Sequence, residues 1–123
     1  MEKKFTVEFY EKNSGEKPCI EFLNTLEVKL RAKVFRDLAL LEEKGTELRL
    51  PYSEHIDEGI FELRTKQGTN IIRSLYFFFV GNKIIVTNGF RKKTQKTPSR
   101  EIALAKEYRK DYLAKQQHKE ENK

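Results

Sequence analysis

The residues of this 123-residue chain best placed to do chemistry are arginines and lysines. From Arg64 to Arg100 there are nine basic residues and no Asp or Glu. A field of one sign steers and holds phosphates where mixed charge would cancel, so a polyanion is the first candidate partner. A lysine-rich solvated surface is the competing explanation. Arg64 and Arg73 sit inside segments of strand character, and the planar guanidinium fork matches phosphate oxygens. Cys19 is the sole cysteine, and His55 and His118 are the two histidines. Neither an intrachain disulfide nor a usual zinc ligand set is expected, and no cofactor is implied.

Charge is divided along the chain. Residues 1–61 carry 10 Lys+Arg against 13 Asp+Glu, and residues 62–123 carry 15 against 6. With 37% hydrophobic residues and nine Phe, the chain has the apolar bulk to fold as one domain. No apolar run is long enough to span a bilayer and the first residues lack a signal-peptide stretch, so the expected compartment is the cytoplasm.

The elements that must position the basic residues follow from periodicity. Phe5, Val7 and Phe9 alternate with polar residues, as in a half-buried strand. From Pro18 to about Lys44 apolar residues recur at helical spacing, which predicts two helices with a bend between Glu27 and Ala32, ended by Gly45. Leu48 to Asp57 has no clear period and is expected to be a loop. Three strands follow, Ile60–Lys66, Asn70–Val80 and Lys83–Arg91, joined by short glycine-containing turns at Gln67-Gly68 and Gly81-Asn82. Thr97 and Pro98 read as the cap and first residue of a helix whose stripe is Ile102, Ala105, Tyr108 and Tyr112. The expected fold is α+β, with a domain over residues 1–115 and a polar tail from Gln116.

Two-residue turns would place Glu62 opposite Arg73 and Arg73 opposite Phe90. One face then gathers Glu62, Arg64, Lys66, Arg73, Phe90 and Lys92, with Phe77, Phe79, Ile84 and Val86 at its hairpin end, while Arg91 and Lys93 point away. A one-residue slip would scatter the group.

Several separated motifs then stand in a telling order: Glu62-Leu63-Arg64, Arg73-Ser74-Leu75-Tyr76-Phe77, Gly89 to Pro98 (GFRKKTQKTP), and Glu101-Ile102-Ala103. This pattern resembles the HigB-type, phage-derived branch of the RelE/ParE toxin superfamily, densely from about Ile60 to Tyr112. The resemblance implies a RelE-like fold of an N-terminal strand, two helices, an antiparallel three-stranded meander and a C-terminal helix. It also implies a ribosome-dependent messenger RNA endoribonuclease. The implied partners are a helix-turn-helix, HigA-like antitoxin in a hetero-oligomer, and the ribosome with its message. A ParE-like gyrase inhibitor and a non-catalytic RNA-binding protein of phage origin are the alternatives.

Attack of a 2′-hydroxyl on its own phosphate needs a base, charge stabilisation at phosphorus and an acid for the departing 5′-oxygen. Arg64, Arg73 and one of Lys92 or Lys93 are the expected catalytic cations. Glu62 either forms an ordinary ion pair with Arg73 or orients it. His55 is a possible base or acid, or merely an exposed loop residue. Some relatives carry histidines where the last strand ends; this chain has Gly89, Phe90 and Arg91 there. Lys66, Phe90, Arg91 and Lys96 are the expected RNA contacts, with Phe90 either stacking on a base or packing at the core edge.

Overall fold

A computed structural model describes residues 3–92 and 95–121. It is an α+β arrangement in which a five-stranded mixed sheet lies between two helices on one face and one long helix on the other. The strands are β1 (Thr6–Phe9), β2 (Ser53–Asp57), β3 (Ile60–Gln67), β4 (Asn70–Phe79) and β5 (Lys83–Arg91), in the order β1-β5-β4-β3-β2. β1 joins β5 in parallel and the other pairings are antiparallel. The expected three-stranded meander is thus the centre of a larger sheet.

Helix α1 (Pro18–Leu23) and helix α2 (Val28–Lys44) bury Cys19, Leu23, Leu30, Val34, Leu38 and Leu41 against Leu63, Ile72, Tyr76, Ile84 and Val86. Their junction lies at Asn24–Glu27, slightly before the expected bend, where the Thr25 hydroxyl donates to the Phe22 carbonyl at 2.6 Å. Gly89 lets α1 come close, since a Cβ there would meet Phe22 at 3.0 Å and the Cys19 sulfur at 3.4 Å. Gly45 closes α2 at φ +53, with its N–H donating to Leu41.

Helix α3 (Ser99–Glu121) covers the other face, burying Ala105 and Tyr112 over Ile60, Leu75, Phe77 and Ile85. It runs through the residues expected to form a tail from Gln116. Lys106 pairs with Asp57 at 2.9 Å and Arg109 donates to the Glu58 carbonyl, fastening α3 to the β2–β3 turn. Among the described residues no helix is long and apolar enough to cross a membrane.

Two register expectations and one loop need correction. The first turn is Gly68-Thr69, so β3 pairs with β4 two residues away from the expected register: Glu62 faces Leu75 and Arg64 faces Arg73. A two-residue shift preserves the side-chain faces. The second turn takes three residues, Val80 to Asn82, which moves Ile84 and Val86 to the α1/α2 face and brings Ile85 to the α3 face. A bulge at Thr87 then restores the expected pairing of Arg73 with Phe90. Lastly, Leu48–Asp57 is not all loop, because its end forms β2. As an edge strand burying only Ser53, β2 needs no apolar alternation.

Gly45→Ala tests this packing. Its Cβ would fall 2.0 Å from the Phe5 ring at a backbone angle that disfavours side chains. We expect a loss of about 1–3 kcal/mol in urea denaturation; an unchanged midpoint would mean that the ring moves aside without cost.

Candidate active site

At the open end of β3, β4 and β5, past the apolar half of the α3 face, lies a cluster of charged side chains. Arg64 and Arg73 face each other directly across β3 and β4, a repulsive arrangement unless countered. Two carboxylates counter it. Glu62 lies diagonally across from Arg73, and its Oε1 makes a close ion contact with Arg73 Nε at 2.6 Å. Glu62 Oε2 lies 3.6 Å from Arg64, whose guanidinium also pairs with Glu54 of β2.

The surroundings of Arg73 define its role. It is 1% exposed and Glu62 is 0% exposed. Arg73 donates one terminal N–H to the Thr97 hydroxyl at 2.8 Å and another to the Gln95 carbonyl at 2.9 Å. Thr97 in turn donates to Glu62 at 3.2 Å. Both terminal guanidinium nitrogens therefore donate to protein acceptors, and Nε, which makes no hydrogen bond, lies in ion contact with Glu62. The Thr97 side chain is committed to this ion pair rather than to the expected helix cap. The Pro98 carbonyl receives the amides of Glu101 and Ile102 instead. Asn88, beside the bulge, donates to the Glu101 carboxylate at 3.0 Å and secures the first turn of α3.

A groove of about 260 Å³ opens above this layer, lined by Glu54, His55, Ile56, Arg64, Gln95, Lys96, Thr97 and Ile102. Arg64 is half-buried, with its Nε lacking a partner. The Lys92 ammonium lies 3.3 Å from the Gln95 side-chain oxygen. Its pKa is lowered, by desolvation first and then by the positive charges of Arg73, Arg64 and Lys66. Lys92 thus shares the cationic field of the cluster, and an arriving anion would favour its protonated form.

The structure brings Glu62, Arg64, Arg73, Lys92 and Lys96 to one end of one face, with Lys66 exposed at its edge. Arg91 points to the other face and pairs with Asn70. Phe90 packs at the edge of the α3-side core. His55 is exposed; its Nε2 accepts the Gly59 N–H at 3.1 Å and its ring stands edge-on to Phe61. Tyr108 stacks on Tyr10, and Tyr112 meets Phe77 and Phe79. Lys93 lies outside the described residues. Glu54 and the Gln95 carbonyl were missed from sequence, Glu54 because β2 itself was. Among the described residues no cluster of His, Cys, Asp or Glu is placed to hold a metal ion. A larger hollow of about 820 Å³ between β1 and the end of α3 contains none of these cations.

A family model described as phage derived protein Gp49-like (DUF891) matches residues 21–110, most of the chain. The chain belongs to this family. The Gp49-like proteins are phage-derived and toxin-like, of the RelE/HigB kind. No curated protein matches the chain.

Arg73→Met would leave the buried Glu62 carboxylate with only its longer, 3.6 Å contact to the partly exposed Arg64, and should cost about 3 kcal/mol by chemical denaturation. Adding Glu62→Leu should restore most of that loss, because an apolar pair can replace a buried ionic one. Wild-type stability for Arg73→Met alone would contradict a structural role for the pair.

Proposed function

We propose that this Gp49-like protein is the toxin of a type II toxin-antitoxin pair, a RelE-like, ribosome-dependent endoribonuclease that cuts messenger RNA. The observation that carries the reading is the gathering of cations at one end of the sheet: Arg64 and Lys96 line a groove, Lys92 lies beside its Gln95, and the buried Arg73 holds the layer beneath. A toxin-like family supports it. In this reading the 2′-oxygen attacks the adjacent phosphorus, a 2′,3′-cyclic phosphate forms, and the bond to the 5′-oxygen breaks.

Glu54 is the carboxylate lining the groove, whereas Glu62 is sealed beneath it. Glu54 therefore takes the 2′-hydroxyl proton, and Arg64 turns from Glu54 towards the phosphate oxygens. Lys92, with its lowered pKa, gives a proton to the departing oxygen. Arg73 is a positioning residue, holding the Gln95–Thr97 segment without touching RNA. Lys66, Lys96 and Arg91 act on encounter and affinity. The proposed partners are the ribosome, its message and a helix-turn-helix antitoxin whose acidic residues complement the cationic end; the proposed compartment is the cytoplasm.

Single-turnover cleavage on programmed ribosomes tests this. Glu54→Gln, Arg64→Ala and Lys92→Gln should each slow cutting about a hundredfold or more while the circular dichroism spectrum is kept. Growth arrest with intact transcripts and altered supercoiling would favour a ParE-like gyrase inhibitor; ribosome binding without cutting would favour a non-catalytic RNA-binding protein.

A further inference from the structure

The edge strand β2 separates two hollows. One is the cationic groove on the α3 face. The other, about 400 Å³, is lined by Thr46, Leu48, Arg49, Leu50, Ser53, Glu54, His55 and Phe61. Glu54 and His55 border both, so the two hollows are neighbours across β2. Their chemistry differs. The first presents cations; the second presents Leu48, Leu50, the Phe61 ring and the His55 imidazole, with Arg49 and Thr46 as polar groups.

We propose that this second hollow is a nucleobase subsite, seating the base of a nucleotide next to the scissile phosphate of single-stranded RNA. The inference rests on the ribonuclease reading for its orientation, and on four observations for its occupant. Its volume falls within the ~300–1,000 Å³ of small-ligand clefts. Leu48, Leu50, Phe61 and His55 give it an apolar and aromatic wall, which suits the face of a base of any type, beside the polar Thr46, Arg49, Ser53 and Glu54. Leu50, which lines the hollow, is 59% exposed, an apolar side chain open to a ligand. Finally, its charge suits an anionic strand: Arg49 lines the hollow and is exposed, placed for the phosphate that follows the base, and Glu54 is paired with Arg64 until RNA arrives. His55, held by Gly59 at Nε2 and braced edge-on by Phe61, then has a packing role against the base rather than a proton-transfer role.

The test is titration of the isotope-labelled, full-length protein with a 2′-O-methyl RNA trinucleotide, which cannot be cut, followed by amide NMR. We expect shifts at Leu48–Leu50, Ser53–His55 and Phe61 in addition to those around Arg64 and Lys92. Leu50→Ser, at an exposed position where folding is not at stake, should weaken binding about tenfold and erase the first set. Arg64→Ala should erase the second set and leave the first. Shifts confined to the cationic groove, no shift at saturating oligonucleotide, or binding indifferent to Leu50→Ser would each overturn the subsite. So would a hollow that stays silent to RNA and is covered only by a protein partner. A protein that binds the trinucleotide in this hollow yet cuts no message on the ribosome would keep the subsite and lose the ribonuclease reading.

Discussion

The ion pair between Glu62 and Arg73 is the contact on which the arrangement of the site depends. Two arginines facing one another across a strand pair would repel, and burying one of them without a counter-ion would cost more than the surrounding packing returns. Glu62 removes both problems. The remaining donors of Arg73 then fall on Thr97 and the Gln95 carbonyl, so the same side chain that neutralises the floor of the site also draws down the segment leading into α3. Asn88 does the corresponding task one step along, at Glu101. Gln95 and Thr97, ahead of α3, are thereby held against a rigid sheet, which is what precise placement of the neighbouring cations requires.

The sheet reaches that geometry through compensation. The three-residue turn at Val80–Asn82 displaces β5 by one residue, and the bulge at Thr87 reverses the displacement before Asn88, Phe90 and Lys92 are reached. The hairpin end and the site end of β5 therefore follow different registers. Ile85 can join the α3-side core while Lys92 still falls on the same face as Arg73. Thr87, fully buried, places its hydroxyl 3.2 Å from the Leu75 carbonyl and 2.6 Å from the Asn88 side-chain oxygen at the irregular step.

This explains what was legible in the sequence and what was not. The shared face of Glu62, Arg64, Arg73 and Lys92 was readable because strand alternation survives a two-residue shift, and because bulge and turn cancel at the site end. Ile84 and Val86 were misplaced because neither device leaves a local mark beyond an ordinary Val-Gly-Asn or Val-Thr-Asn. β2 escaped because an edge strand with Glu54 and His55 on its faces lacks the apolar alternation of a half-buried one, and Glu54 escaped with it. The burial of Arg73 depends on Gln95–Thr97 folding back across β4, a contact between residues more than twenty positions apart. Polar residues after Gln116 concealed the last turns of α3, which an amphipathic pattern does not mark.

The sharpest measurement is the salt dependence of binding to single-stranded RNA, because each phosphate contact contributes about 0.7 to the slope of log affinity against log salt. Arg64→Ala and Lys92→Gln should each lower that slope by about this amount, whereas replacing the pair together, Arg73→Met with Glu62→Leu, should weaken affinity by releasing the Gln95–Thr97 segment but, removing no phosphate contact, should leave the slope unchanged. An equal fall on replacing the pair would place Arg73 on the phosphate backbone and contradict its buried, positioning role.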